Sequence, residues 1–261
     1  AALTARTTIR TVNPQEGTLM QAVILAAGDG GRLLPHTADT PKPLLSLAGR
    51  PLVNYVLDAL HEAGVDDAVV VTGHRGEQVE RALANLRPCG MRMRFVANDE
   101  PLLGNARSIW AARDAVDGPF VLAMADHLVE PDLVRALAAA SGDNCRLAVE
   151  HATASDARAA EATRALVRDG RVVALGKHSD DWNALDTGVF WCTPAIFDAL
   201  TPERRDGEAG AAFAALAARG LLDAVDVTGM AWLDVDTPQD LAEARARLAE
   251  FTAWRRDGIV A

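Results

Sequence analysis

A glycine-rich turn directly follows the first apolar run of the chain and is the first candidate for chemistry. It consists of Leu25, Ala26, Ala27, Gly28, Asp29, Gly30, Gly31, Arg32 and Leu33. Glycines let the backbone approach a phosphate closely and point successive amides at it, and an arginine adds forked donors for a polyanion. The turn therefore predicts a triphosphate cradle, while a plain tight turn is the alternative. It is neither a GxGxxG nor a Walker A motif, because Leu33 replaces the last glycine and no Gly-Lys-[Ser/Thr] follows.

A lysine between two prolines stands ten residues after Arg32, in the segment Pro41-Lys42-Pro43. Prolines restrict the backbone and hold the lysine in one presentation, which suits a cation that must meet a phosphate. An ordinary solvated loop lysine is the alternative. The glycine-rich turn nearby favours the phosphate-binding interpretation.

Aspartates end two distant apolar runs. Asp126 and His127 follow the run 120–125, and Asp234 and Asp236 close a second probable strand. If both strand ends meet at one edge of a sheet, they supply the oxygen ligands that Mg²⁺ prefers. An aspartate after a strand is otherwise typical of a turn or cap. His127 is also a candidate general base, although an acceptor phosphate that is already ionised at pH 7 needs none.

The elements that would position these residues alternate along the chain from residue 21 onward. Apolar β-branched runs predict strands and Ala-rich amphipathic segments predict helices, in the order strand 22–26, helix 52–63, strand 68–72, helix 76–86, strand 92–97, helix 108–116 and strand 120–125. This alternation predicts an α/β fold with an open, Rossmann-like, mostly parallel mixed sheet, helices on both faces, and ligands at the carboxyl ends of the strands.

The pattern changes after residue 146. Short strands are predicted at 146–150, 164–167, 172–175 and 187–191, followed by a helix at 194–200. We expect one domain over residues 21–255. Its parts are a nucleotide-binding part at about 21–145, an acceptor-binding part at about 146–237, and one long helix at about 238–255 that Thr237 caps. Residues 1–20 show little periodicity and are predicted to be a flexible leader.

The composition excludes several classes of protein. With 26 basic and 36 acidic residues, the net charge of -10 argues against nucleic acid or an anionic membrane as the main partner. Cys89, Cys145 and Cys192 form no CxxC pair, so free thiols are expected rather than a zinc site or disulfides. No apolar run reaches the roughly 20 residues that span a bilayer, so we expect a cytoplasmic protein.

The glycine-rich turn followed by Pro41-Lys42-Pro43-Leu44 resembles the signature of the sugar-phosphate nucleotidyltransferase family. The resemblance implies that residues 25–32 bind a nucleoside triphosphate and that Arg32 and Lys42 neutralise its phosphates. It also implies that Asp126 and Asp234 hold Mg²⁺, with Asp236 as a further metal residue where many relatives have glycine. The chain departs from the family at Gly31, where threonine is usual.

Within that family, the segments 104–105, 124–127, 186–188 and 232–237 are most similar to inositol-1-phosphate cytidylyltransferases, over about 21–248. This resemblance implies CTP as donor and a small phosphorylated acceptor. It also implies that Gly104 and Asn105 lie near the base, and that Lys177 and Asp186 face the acceptor. A turn residue, a surface cation and a cap are the alternatives for Asn105, Lys177 and Asp186. His74 and Arg75 are loop residues that could also touch the nucleotide.

The chemistry expected from these residues is an in-line attack of the acceptor phosphate on the α-phosphorus, with release of pyrophosphate. Arg32, Lys42 and Asp126 are the catalytic candidates, because positioning and charge neutralisation dominate such transfers. Three alternatives remain open: a sugar-1-phosphate uridylyl- or guanylyltransferase, a cytidylyltransferase acting on a phosphonate, and a non-catalytic nucleotide-binding regulatory subunit. The last is disfavoured because Arg32, Lys42, Asp126 and Asp234 are all present. Acceptor identity and oligomeric state stay undetermined.

Overall fold

The computed structural model describes residues 20–85, 90–153 and 155–253. In this part of the chain the strands are β1 (Met20–Ala26), β2 (Ser46–Leu47), β3 (Arg50–Pro51), β4 (Val65–Thr72), β5 (Arg92–Ala97), β6 (Phe120–Met124), β7 (His127–Val129), β8 (Cys145–His151), β9 (Arg164–Arg168), β10 (Arg171–Gly176), β11 (Ala184–Cys192), β12 (Leu222–Asp226) and β13 (Trp232–Asp234). The α-helices are α1 (Leu52–Glu62), α2 (Gly76–Asn85), α3 (Asn105–Ala111), α4 (Pro131–Ala139), α5 (Ala195–Ala199), α6 (Pro202–Arg205), α7 (Gly210–Ala218) and α8 (Pro238–Ala246).

Nine strands form the main sheet, in the order β5-β4-β1-β6-β11-β8-β12-β10-β9. The first four of these are parallel to one another, whereas β11 is antiparallel to both β6 and β8. The predicted mixed α/β fold is confirmed. Parallel order brings the carboxyl ends of β1, β4 and β6 to one edge, and this edge carries the glycine-rich turn and Asp126.

Apolar side chains are buried on both faces of the sheet. In β1, Ala22 and Ile24 belong to one buried cluster, while Val23 and Leu25 belong to the cluster on the other face. A run buried on both sides is typical of a central parallel strand, which explains why β1 lacks apolar–polar alternation.

A third buried cluster fixes the segments around the glycine-rich turn. It contains Leu33 from that turn, Leu128 from β7, Val235 after β13, and Phe251 near the end of the described residues. The strands β7 and β13 form a separate two-stranded ladder in which Asp234 is the partner of His127. The two predicted acidic strand ends are therefore neighbours.

The structure differs from the predicted elements in three respects. The predicted helix at 238–255 is wrong beyond Ala246, because Arg247 leaves the helical conformation and turns follow that bring Phe251 into the third cluster; residues 254 and 255 lie outside the described residues. The helix predicted at 108–116 instead starts at Asn105 and ends at Ala111, before a short 3-10 turn. The structure also contains several elements that the prediction omitted, namely β2, β3, β7, β12, α4, α6 and α7.

Met20 opens β1, and the rest of the predicted leader lies outside the described residues. Cys145 and Cys192 are buried free thiols, as predicted, and Cys89 lies outside the described residues. Within the described ranges, every helix is too short or too polar to cross a bilayer.

Candidate active site

The glycine-rich turn packs directly against the predicted cationic segment. Gly30 has a φ of 69°, and its carbonyl accepts hydrogen bonds from Leu33 N at 2.9 Å and Thr37 Oγ1 at 2.9 Å. A Cβ at Gly30 would lie 2.9 Å from Cβ of Lys42 and 2.9 Å from Cγ2 of Thr37. Because φ in this region also disfavours other residues, only glycine fits here without strain.

Lys42 is buried, with 8% of its surface exposed, and its ammonium lies among carboxylates. Its Nζ contacts Oδ2 of Asp126 and lies 2.5 Å from Oδ1 of Asp236. Burial alone would lower the pKa of Lys42, but the charges of Asp126, Asp236 and Asp234 outweigh it and raise that pKa well above its ordinary value. Lys42 is therefore a charged ammonium held in one position.

Backbone hydrogen bonds of Ala125 and Asp126 connect this segment to β1 and to the residue after β13. The N–H of Ala125 donates to Leu25 O at 3.0 Å, and the carbonyl of Asp126 accepts from Val235 N at 3.1 Å. Burial alone would raise the pKa of Asp126, but the Lys42 ammonium and the hydrogen bond from His127 hold it well below its usual range. The side chain is thus an anion beside the glycine-rich turn.

His127 lies between two carboxylates that come from different strands. Its Nδ1 donates to Oδ1 of Asp126 at 2.8 Å and lies 3.6 Å from Oδ1 of Asp234. Burial alone would lower the pKa of His127, but the charge of Asp234 and the hydrogen bond to Asp126 raise it to about 9. His127 is consequently protonated near neutral pH and is not poised to remove a proton.

Asp234 has an oxygen that the protein leaves without a hydrogen bond. Although 36% of its side-chain surface is exposed, Oδ1 is buried and has no hydrogen-bond partner. Burial raises the pKa of Asp234 to about 7, with the charges of Asp126 and Asp236 adding to the rise and the charge of His127 opposing it. A divalent cation beside Asp234 would favour its charged form.

The residues Asp126, His127 and Asp234 offer potential ligand atoms that all lie within 4.8 Å of one another. Two carboxylates on converging strands, one with an unpaired buried oxygen, fit a hard divalent cation, which takes oxygen ligands. Asp236, the third predicted metal residue, lies beside this group. Its oxygens instead contact Lys42 and, at 2.5 Å, Nη2 of Arg32.

The loop around Gly104 is held by a segment that sequence reasoning missed. Gly104 has a φ of 107°, and a Cβ there would lie 2.1 Å from the carbonyl oxygen of Gly207. The side-chain Oδ1 of Asn105 accepts a hydrogen bond from Ala209 N at 2.6 Å. These long-range contacts connect the predicted nucleotide-binding part to the predicted acceptor-binding part, and no local sequence signal marks them.

A cavity of about 380 Å³ opens at the carboxyl ends of β4 and β5, lined among others by Thr72, Gly73, Asn98 and Asp99. A Cβ at Gly73 would lie 2.8 Å from Cβ of Ala27 in the glycine-rich turn, so the cavity adjoins that turn. The prediction did not identify it, although two neighbouring strands end there.

His74 and Arg75, the two candidates in the loop after β4, are each held by one hydrogen bond. His74 N donates to Ala27 O at 2.9 Å, and Nη2 of Arg75 donates to Ala38 O at 2.7 Å. His74 therefore contacts the glycine-rich turn directly, whereas Arg75 is fixed to Ala38, a residue beyond that turn.

The two predicted acceptor residues lie in different surroundings. Oδ1 of Asp186 accepts from Gly188 N at 2.7 Å, and burial, opposed by the charge of His127, raises the pKa of Asp186 to about 6. Asp186 thus lies near His127. Lys177 is exposed after β10, and no ion pair within the described residues involves it.

The sequence of the chain matches those of known proteins. Residues 21–250 match the model of the family described as Nucleotidyl transferase. A protein of Rubrobacter xylanophilus named bifunctional IPC transferase and DIPP synthase is 35% identical over 92% of this chain and 54% of its own length. The protein of the same name from Aquifex aeolicus is 30% identical over 88% of this chain and 52% of its own length. The chain thus spans about half the length of these curated relatives.

A solved structure has the same architecture. The inositol-1-phosphate CTP transferase from T. maritima superimposes with a TM-score of 0.79 at 26% identity, covering 95% of this chain and all of that one (100%).

Proposed function

The chain belongs to the nucleotidyl transferase family, and we propose that it transfers CMP from CTP to a small phosphorylated acceptor such as inositol 1-phosphate, releasing pyrophosphate. The names of the similar proteins support this choice of donor and acceptor. The observation that carries the proposal is the convergence of Lys42, Asp126 and Asp234 beside the glycine-rich turn. Two carboxylates and a buried ammonium in one crevice suit a metal-bound polyphosphate better than an uncharged ligand.

Asp126 and Asp234 would hold a divalent cation, and Mg²⁺ fits their oxygen donors. When bound, the ion neutralises phosphate charge and orients the triphosphate for displacement. The assignment of Asp236 as a further metal residue stays a prediction, which a comparison of substitutions at Asp234 and Asp236 can test.

Cationic side chains and the glycine-rich backbone would bind the triphosphate. Arg32 is exposed and its guanidinium already lies beside Asp236, so it can reach an incoming phosphate with little rearrangement. Lys42 is fixed at the floor of the crevice. Residues 25–32 would supply backbone amides, and Gly104 and Asn105 would lie on the base side, next to the cavity lined by Thr72 and Asp99.

The acceptor phosphate would attack the α-phosphorus in line with the departing pyrophosphate. A phosphate oxygen that is ionised at neutral pH needs no base, which agrees with a protonated His127. Asp186 and Lys177 would face the acceptor, Asp186 from beside His127. The protein's contribution is orientation and electrostatic stabilisation rather than covalent catalysis.

Pyrophosphate release tests the proposal directly. With Mg²⁺ present, ATP, CTP, GTP and UTP would each be combined with inositol 1-phosphate, glucose 1-phosphate or an alkylphosphonate. We expect release only with CTP and inositol 1-phosphate. Release with UTP or GTP and glucose 1-phosphate would replace the proposed donor and acceptor. Tight nucleotide binding without release in every combination would identify a binding subunit instead.

A further inference from the structure

The imidazole of His127 is enclosed by groups from three strands. Asp126, at the end of β6, accepts the hydrogen bond from Nδ1 at 2.8 Å, and Oδ1 of Asp234 on β13 lies 3.6 Å from the same nitrogen. On the opposite side is Gly188 of β11. A Cβ at Gly188 would lie 2.3 Å from both Cδ2 and Nε2 of the ring. The ring has room only because residue 188 has no side chain.

Both oxygens of Asp126 are already oriented by the protein. Oδ1 accepts from His127, and Oδ2 contacts Lys42. Each carboxylate oxygen has a second lone pair, so these contacts fix the group without preventing it from binding a cation. Oδ1 of Asp234, by contrast, accepts no hydrogen bond, and Nδ1 of His127 lies 3.6 Å from it. One imidazole nitrogen therefore lies near an oxygen of each carboxylate.

We propose that His127, packed against Gly188, is a positioning residue that holds Asp126 and Asp234 at the spacing a divalent cation requires. The inference takes the cation site between these two carboxylates from the proposed function. Metal-binding carboxylates are themselves commonly oriented by hydrogen bonds from a second layer of residues, and loss of such a partner typically weakens metal affinity about 10- to 100-fold.

The two ring nitrogens have surroundings that suit positioning rather than direct ligation. Nδ1 donates to Asp126, and Nε2 lies on the side where Gly188 closes the space. The role therefore depends on a donor at the Nδ1 position and on the glycine behind the ring.

Two substitutions at residue 127 separate these requirements. In H127N the amide nitrogen is as many bonds from Cα as Nδ1 is, so it can still donate to Asp126, whereas in H127Q the amide lies one bond further out. Binding of Mn²⁺ to the intact protein would be measured without nucleotide, from the electron paramagnetic resonance signal of the free ion. We expect H127Q to bind Mn²⁺ about tenfold more weakly than the unsubstituted protein, and H127N to retain most of the affinity.

G188A provides a second route to the same result. Its Cβ would displace the ring, and φ at this position is +76°, so we expect weaker Mn²⁺ binding as in H127Q. Thermal unfolding of each variant shows whether it is folded, and pyrophosphate release should follow the same order at limiting metal concentration.

Four results would overturn the inference: unchanged Mn²⁺ affinity in H127Q, equal losses in H127N and H127Q, absence of Mn²⁺ binding by the unsubstituted protein, or coupling of bound Mn²⁺ to an imidazole nitrogen in pulsed spectra, which would make His127 a ligand. If the order of Mn²⁺ affinities holds but no triphosphate yields pyrophosphate, the proposed function fails while the positioning role stands.

Discussion

The ammonium of Lys42 lies 2.5 Å from a carboxylate oxygen of Asp236, a residue 194 positions later in the chain. The same ammonium contacts Asp126 at the end of β6. One buried cation therefore joins the segment after the glycine-rich turn to the ends of two distant strands. The charge of Lys42 stabilises these two carboxylates even without bound substrate.

Substitution of Lys42 by methionine should affect stability and activity together. K42M removes the buried cation that Asp126 and Asp236 share and leaves them only His127 and the exposed Arg32. Removal of one partner from a buried ion pair costs roughly 3–5 kcal/mol. We expect a lower free energy of unfolding in urea and a loss of pyrophosphate release. R32A is the matched control, because Arg32 is 64% exposed and an exposed pair contributes at most about 1 kcal/mol. K42M as stable as R32A would contradict this account.

D126N should abolish turnover while the fold persists. The amide has the size of the carboxylate but carries no charge, so the proposed divalent cation and Lys42 would each lose one of their anionic partners. Pyrophosphate release measures the effect, and circular dichroism checks the fold. Activity within about tenfold of the unsubstituted protein, equal to about 1.4 kcal/mol, would refute a metal role for Asp126.

Separate substitutions of Asp234 and Asp236 should distinguish the carboxylate that binds the divalent metal ion from the carboxylate that pairs with Arg32 and Lys42. D234N removes the negative charge of the group with the unpaired buried oxygen, whereas D236N removes the anion that Arg32 and Lys42 share. We expect D234N to weaken Mg²⁺ activation more than D236N does, and D236N mainly to change the KM for the triphosphate. Equal loss of Mg²⁺ affinity in both variants would make Asp236 a metal residue, as the family resemblance implies.

A methyl group should be tolerated at one glycine of the turn and not at its neighbour. At Gly30 the added Cβ meets Lys42 and Thr37, and φ is +69°, so G30A should lose about 1–3 kcal/mol of stability. At Gly31 the nearest atom is 3.7 Å away, so G31A should stay within about 0.5 kcal/mol. Chemical denaturation of both variants measures the difference, and equal stabilities would exclude the close packing described for Gly30.

Ionisation of Asp67, which lies in β4 away from the candidate site, should make the free energy of unfolding depend on pH. Burial alone would raise the pKa of Asp67, but hydrogen bonds from Arg92, Arg94 and Gln21 outweigh burial and hold it below the ordinary value. A depressed folded pKa means that the stabilisation is complete well above the unfolded value of about 3.9 and is lost as pH falls through the folded pKa. The difference in unfolding free energy between the unsubstituted protein and D67N should therefore shrink below about pH 4. A difference independent of pH would show that packing, not ionisation, is involved.

Local patterns predicted the first half of the sheet well, because β1, β6 and most of β4 are apolar runs and helical segments separate the strands. They failed where the local signal is weak. Helix α7 reads GAAFAALAA, which has no polar face to mark helical periodicity. Helix α4 carried a usable signal that was overlooked, since Pro131 stands in its first turn.

The candidate site was predictable as residue types but not as contacts. Family resemblance pointed to Lys42, Asp126 and Asp234, and the structure brings them together. The enclosure of His127 by Gly188, and the bond from Ala209 N to Asn105, join residues from distant segments, so no periodicity encodes them. Such contacts depend on tertiary packing that only the folded chain defines.

The strand direction changes between β6 and β11, so the two sides of one continuous sheet carry different candidate residues. The parallel side presents the glycine-rich turn, while the antiparallel side presents Asp186 and Gly188. If the proposed function holds, mutations on the antiparallel side that leave Gly188 and His127 intact would alter which acceptor is bound while the glycine-rich turn stays in place. A lineage built on this sheet could thus diversify its products while conserving one way of handling the activated donor.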